Sequence, residues 1–151
     1  FASSFWYDKD NVAVWPAVAV DFTGKTQFLF KITKGILDIS DKTRVNESQK
    51  DESKLIPFSN MIYFGDGETD IPCMKIVKMF GGNSIAVYQP ARKEKFRTAQ
   101  KLLRQERVNF ICKADYSIEG EIWNVVTSII DKVKMEGDFT CLQRKMRNRS
   151  L

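Results

Sequence analysis

Apolar residues fall along this chain in short blocks set apart by polar turns, and their spacing alternates between strand-like and helix-like. The first two blocks, 1–8 (FASSFWYD) and 12–20 (VAVWPAVAV), are apolar, aromatic and β-branched. Lys9, Asp10 and Asn11 between them carry turn chemistry, so the pair predicts a β-hairpin, with Pro16 confining the second strand to an edge or a bend. Thr23 and Gly24 close this unit. A helix is expected over 25–38, with Phe28, Leu29, Ile32, Ile36 and Leu37 on one broad face and Gly35 weakening its far end. Residues 40–56 (SDKTRVNESQKDESKLI) are polar and charged, and predict a loop or a short amphipathic insertion.

From residue 61 onward the pattern settles into strand–helix alternation. The run 61–64 (MIYF) ends at Gly65-Asp66-Gly67 and predicts a buried parallel strand feeding a helix over 70–80, whose first turn tolerates Pro72. Gly81, Gly82 and Asn83 end that helix. A strand over 84–88 (SIAVY), a helix over 91–105 with Phe96, Ala99, Leu102 and Leu103 on its apolar side, and a strand over 108–112 follow. The last predicted helix spans 119–134, with Ile122, Trp123, Val126, Ile129, Ile130 and Val133 as core positions. Residues 135–151 show little pattern and read as a basic, frayed tail. Such an order predicts the α/β class: a Rossmann-like three-layer sandwich around a parallel sheet, preceded by a β-hairpin, with a core over 1–134 and a tail over 135–151. Ligands in such sheets sit beyond the carboxyl ends of the strands, which points to 65–70.

Composition narrows the chemistry. Among 151 residues, 43% are hydrophobic and 28% charged, values of a globular domain that exclude a disordered tail or a coiled coil as the whole. No apolar run reaches the roughly 18 residues of a membrane span, and Asp8, Lys9, Asp10 and Asn11 interrupt the first stretch before it resembles a secretory signal. There is no histidine, so Ser-His-Asp triads, Cys-His pairs and His-ligated zinc cannot be built from this chain alone. Cys73, Cys112 and Cys141 are odd in number and far apart, with no CxxC. That argues against a disulfide framework or zinc ribbon, and for a reducing, cytoplasmic setting. Cys112, inside VNFIC, reads as a core residue.

The net charge of +5 is uneven: 91–107 carries seven cations against two anions, and the last twenty residues carry six against two. A basic stripe can bind nucleic acid. With only Phe96 interleaved, the stripe reads more simply as a solvated helix face, so nucleic acid is not the expected partner. No GxGxxG follows any strand, which ranks a dinucleotide-binding domain last.

The informative stretch is Gly65-Asp66-Gly67-Glu68-Thr69-Asp70-Ile71-Pro72. Two carboxylates four residues apart straddle a turn at a strand end, where Gly65 and Gly67 permit tight or left-handed backbone. Asp66 would project from the strand tip. Two hard oxygen donors suit Mg²⁺, which binds through one or two carboxylates plus water and phosphate oxygens. Asp70 could instead merely cap the following helix.

This stretch resembles the fourth motif of the haloacid dehalogenase-like (HAD) hydrolases, with the following Ser84-Ile85-Ala86-Val87 similar to the next strand of that fold. Lys25, opening a helix just after a hairpin, resembles the third-motif lysine, and Phe1-Ala2-Ser3 resembles the strand after the second motif. The resemblance covers residues 1 to about 133 and is closest to the phosphoserine phosphatase type. It implies that Asp66 ligates Mg²⁺, that Asp70 holds a metal-bound water or orients Lys25, and that Lys25 offsets the charge of the nucleophile and the phosphoryl group. Glu68 takes no assigned role.

The family's nucleophile is the first Asp of an Asp-x-Asp pair at the end of the first strand. Asp8 and Asp10 have that spacing, but they lie in the hairpin turn after no buried run and are rejected. The chain therefore resembles the C-terminal part of a HAD core, without the first and second motifs. Any cap must lie in the part not present, because the hairpin uses the residues between Phe1 and Lys25. The expectation is a Mg²⁺-dependent phosphohydrolase acting on a small phosphomonoester through an aspartyl-phosphate, with the nucleophile supplied by the missing N-terminal part, on the same gene product or another chain. This chain alone is expected to be inactive. The competing expectation is a non-catalytic HAD-like remnant that binds nucleic acid or an acidic partner through 91–107.

Overall fold

Three short apolar runs, each followed by a helix, line up side by side in the computed structural model, which describes residues 2–21, 24–39, 41, 43–48 and 54–149. They are β3 (Ile62–Gly65), β4 (Asn83–Tyr88) and β5 (Phe110–Lys113), parallel and in the order β3-β4-β5. Ile62 lies opposite Asn83 and Ile85 opposite Phe110. Preceding them are an antiparallel hairpin of β1 (Ala2–Tyr7) and β2 (Ala13–Val20), then α1 (Gly24–Lys34). The crossovers are α2 (Ile71–Met79) and α3 (Lys93–Arg104), and α4 (Glu121–Asn148) follows β5.

β4 is the central strand, and residues 83–87 are all buried, with the apolar run Ile85-Ala86-Val87 following Asn83 and Ser84, as in a strand covered on both faces. Its alternate side chains feed two cores. Ala86 packs with Met74, Ala99, Leu102 and Val108 under α2 and α3. Ile85 and Val87 pack with Cys112, Ile122 and Ile129 under α4. A third cluster, Leu29, Phe58, Met61, Cys73 and Val77, fastens α1 to α2. The protein is thus a mixed α/β structure with a parallel three-stranded sheet flanked by helices, compatible with a Rossmann-like arrangement. Among the described residues, β3 pairs on one side only, and Phe64 on it is exposed.

Several expected details differ. α1 stops at Lys34 because Gly35 takes φ +66°, so Leu37 is 93% exposed rather than on the buried face. Leu29, Thr33 and Ile36 face inward, while Ile32 is exposed. Trp123 and Ile130 on α4 are exposed as well, since the sheet covers only the stripe through Ile122, Val126, Ile129 and Val133. α4 does not end near residue 134 but runs to Asn148, so the described part of the expected frayed tail is helical. Residues 134–148 are rich in strong helix formers, and Lys132–Glu136 adds an i,i+4 ion pair at 3.6 Å. The core period ends at Val133, which is why the pattern alone reads as a tail.

The hairpin follows the expectation. Asn11 takes φ 62° in its turn, where the Asp8 carboxylate accepts the amides of Asp10 and Val12 at 2.9 Å each. The strand register slips beside Pro16, between Ser4 and Phe5. Phe1, Thr23 and residues 49–53 lie outside the described residues, so the readings placed on them stand apart from this account.

Cys73 and Cys112 are buried and Cys141 is exposed. Burial raises both buried thiols, Cys112 to about 11. A timed thiol titration of the native protein should therefore show one thiol reacting promptly and two reacting only after denaturation. Three prompt thiols would contradict this packing.

Candidate functional site

The end of β3 is shaped by what Gly65 lacks. Of the tight or left-handed backbone that Gly65 and Gly67 permit, neither takes the left-handed form, and Gly67 is extended at φ −139°, ψ 169°. A Cβ on Gly65 would instead stand 2.6 Å from Asp70 Cβ, 3.1 Å from its Cγ and 3.2 Å from Met74 Sδ. The glycine is a requirement of close approach: it lets Asp70 fold back against the strand end.

Asp70 closes a single 3-10 turn, Glu68–Asp70, before α2, and its side chain makes no capping bond to that helix. The reading of Asp70 as a simple cap is therefore set aside. Its carboxylate turns the other way. Lys25 Nζ donates to Asp70 Oδ1 at 2.8 Å and to Thr69 Oγ1 at 3.3 Å, and the Tyr63 hydroxyl donates to the same Asp70 Oδ1 at 2.9 Å. Asp70 is only 8% exposed. Lys25 reaches it because Asp21 fixes the start of α1: the Asp21 carboxylate accepts the Gly24 amide at 2.5 Å, and its carbonyl accepts the Lys25 amide at 3.1 Å.

The charges reinforce one another. Burial pushes the Asp70 carboxyl up, but hydrogen bonds from Lys25, Tyr63 and the Asp66 amide, with the nearby ammonium, bring it below its ordinary value. The hydrogen bond to Asp70 raises Lys25 against the lowering effect of burial, with the charges of Asp70, Cys73 and Asp66 adding to it. Burial chiefly, then the bonds to Asp70 and Cys73, raises Tyr63 strongly, so it stays a protonated donor. Each charged member is held in its ionised form at neutral pH.

Asp66 sits exposed at the strand tip, and among the described residues nothing hydrogen-bonds its carboxylate. Its carbonyl accepts Lys95 Nζ at 3.1 Å. Beyond it, two recesses of about 270 and 260 Å³ are each lined in part by Asp66, Arg92 and Lys95, at the carboxyl end of the sheet. A larger cavity, about 770 Å³, lies elsewhere, between α1 and Ile39, Asp41, Val45 and Asn46, and Asp66, Arg92 and Lys95 do not line it.

The structure thus brings Lys25 and Asp70 into contact, with Asp66 beside them, while Glu68 is exposed and Asp8 and Asp10 stay in the hairpin turn. Sequence reasoning missed Tyr63 and Thr69. Tyr63 was findable, because residues two apart in a strand share a face and Gly65 points at the site.

Among the described residues, no group of three or more His, Cys, Asp and Glu side chains converges on a metal position. The donor set still suits Mg²⁺ in a limited way. Asp66 offers a carboxylate that other groups leave open, and Mg²⁺ often takes only one or two carboxylates. Asp70 has Oδ1 committed to Lys25 and Tyr63, which fits orienting the lysine better than direct ligation through that oxygen.

A protein of Borreliella burgdorferi described as an uncharacterized protein is similar to this chain, with 28% identity over 121 residues. The match covers 78% of this chain and 39% of that protein, so the chain spans well under half the length of the curated relative it matches. No family model matches the chain, and no solved structure does. Among the described residues, no helix is long and apolar enough to cross a membrane.

Proposed function

We propose that this chain carries the third- and fourth-motif residues of a HAD-like, Mg²⁺-dependent phosphohydrolase acting on a small phosphomonoester. One observation carries the reading. Lys25 and Asp70, 45 residues apart in sequence, meet at 2.8 Å beyond the carboxyl end of a parallel strand, with Asp66 exposed at the tip of that strand and its charge acting on Lys25. A structural ion pair has no need of that location or of a neighbouring acid left without a partner.

In this proposal Lys25 presents a compact cation to the phosphoryl oxygens, and Asp70 and Tyr63 hold it at the right place and in the charged state. Asp66 is the carboxylate that takes the metal. A bound Mg²⁺ supplies charge neutralisation and orientation of the phosphate. Arg92 and Lys95 line the far side of the same mouth and add positive charge where an anionic substrate enters. An aspartate from outside this chain attacks phosphorus and displaces the substrate's alcohol, and water then cleaves the aspartyl-phosphate, releasing inorganic phosphate and restoring the carboxylate. Among the described residues β3 pairs on one side only, which supports that arrangement, since a strand bearing the aspartate can add to the other edge. The greater length of the Borreliella burgdorferi relative supports it too.

Mg²⁺ should raise the melting temperature of the protein, because a ligand that binds only the native state stabilises it. Asp66→Asn should abolish that rise, while Asp8→Asn leaves it intact. A Mg²⁺-dependent rise that survives Asp66→Asn removes the metal assignment. The chain by itself should leave p-nitrophenyl phosphate at the background rate. Mg²⁺-dependent turnover by these 151 residues would show that the nucleophile lies within them.

A further inference from the structure

The distal part of α4 offers a surface that the phosphoryl chemistry does not use. Residues 134–148 are helical and exposed throughout, yet Met135, Phe139, Leu142 and Met146 recur at steps of four, three and four and are 51% to 72% exposed. This is the spacing of a coiled-coil seam over two heptads. At 3.6 residues per turn the seam lies roughly 140° around the helix from the stripe through Ile122, Val126, Ile129 and Val133 that packs on the sheet, so it faces away from that core.

Charge selects the occupant and its direction. In a two-fold antiparallel pairing, Met135 of one copy lies opposite Met146 of the other, and Phe139 opposite Leu142. The same register sets Asp138 against Lys145 and Glu136 against Gln143, and symmetry repeats every pair. It also keeps the cationic end of one helix (Arg144, Lys145, Arg147) away from that of the other and along a stretch that carries Asp131, Glu136 and Asp138 together with Lys132 and Lys134. A parallel pairing would bring Asp131 toward Glu136 and gather the cationic ends together. We propose that residues 135–146 form an antiparallel two-helix interface with the same segment of a second copy of this chain.

Sedimentation equilibrium of the full chain across a hundredfold range of concentration should show a monomer–dimer equilibrium. Phe139→Glu should abolish it without changing helix content by circular dichroism, because Phe139 packs on nothing in the core. Asp138→Lys and Lys145→Asp alone should each weaken the dimer about tenfold, since each replaces two attractive pairs by two repulsive ones. The double variant should recover the original association to within about threefold. A monomer at every concentration overturns the proposal. So does a dimer that survives Phe139→Glu, or a double variant that fails to recover, since a parallel seam does not pair positions 138 and 145.

Discussion

Alanine at Gly65 should destabilise the protein by about 2–3 kcal/mol, the cost of forcing a methyl group into a packed site. The added Cβ would stand 2.6 Å from Asp70 Cβ and 3.2 Å from Met74 Sδ. Met74, on α2, is fully buried against Ala86, Ala99, Leu102 and Val108, so it has little room to yield. Relief must come from the other side, by moving Asp70 off the strand end. That movement lengthens its bonds to Lys25 and Tyr63. Urea denaturation measures the stability loss, and titration of Lys25 by NMR should show its pKa falling back toward the ordinary lysine value. A Gly65→Ala protein within about 0.5 kcal/mol of the parent would show that Asp70 does not lie against Gly65.

Asp70→Asn should cost about 1–3 kcal/mol, because it removes the carboxylate that accepts both Lys25 and Tyr63. The side chain of Lys25 stays about a third exposed, which keeps the loss below that of a fully buried pair. Its pH signature identifies the cause. Asp70 is lowered on folding, so its contribution is complete above the unfolded carboxyl value of about 3.9 and is lost as pH falls through the lower folded value. Lys25 is raised, so its contribution is complete below about 10.4 and is lost as pH climbs through the higher folded value. The parent protein should therefore lose more stability than Asp70→Asn at both extremes. In a double-mutant cycle with Lys25→Met, a coupling of about 1 kcal/mol or more is expected. Additive losses would mean that the two side chains do not act together.

Much of the fold is legible in the order of apolar blocks. The switch from short β-branched runs to helical spacing after residue 61 predicts the parallel sheet, and β3, β4 and β5 stand within two residues of the expected runs at every end. Faces were harder to read. A broad apolar helix such as α1 has more hydrophobic positions than one neighbour can cover, and the face that Phe58 and Met61 meet is the one with Leu29, which leaves Ile32 exposed. α4 poses the opposite problem: local propensity alone sustains its last turns, with no core to leave a period in the pattern.

The amino-acid order by itself determined which chemistry is open to this protein. It lacks imidazole, and it sets Asp66 and Asp70 around a glycine turn after an apolar run. Only the tertiary structure decided that Asp70 faces Lys25 rather than its own helix, that Tyr63 shares the same carboxylate oxygen, and that Gly65 serves by lacking a side chain rather than by its backbone freedom. The physical reason is range. Turn chemistry and periodicity act over a few residues, whereas a hydrogen bond between positions 25 and 70 exists only after α1 has packed on α2 through Leu29, Cys73 and Val77.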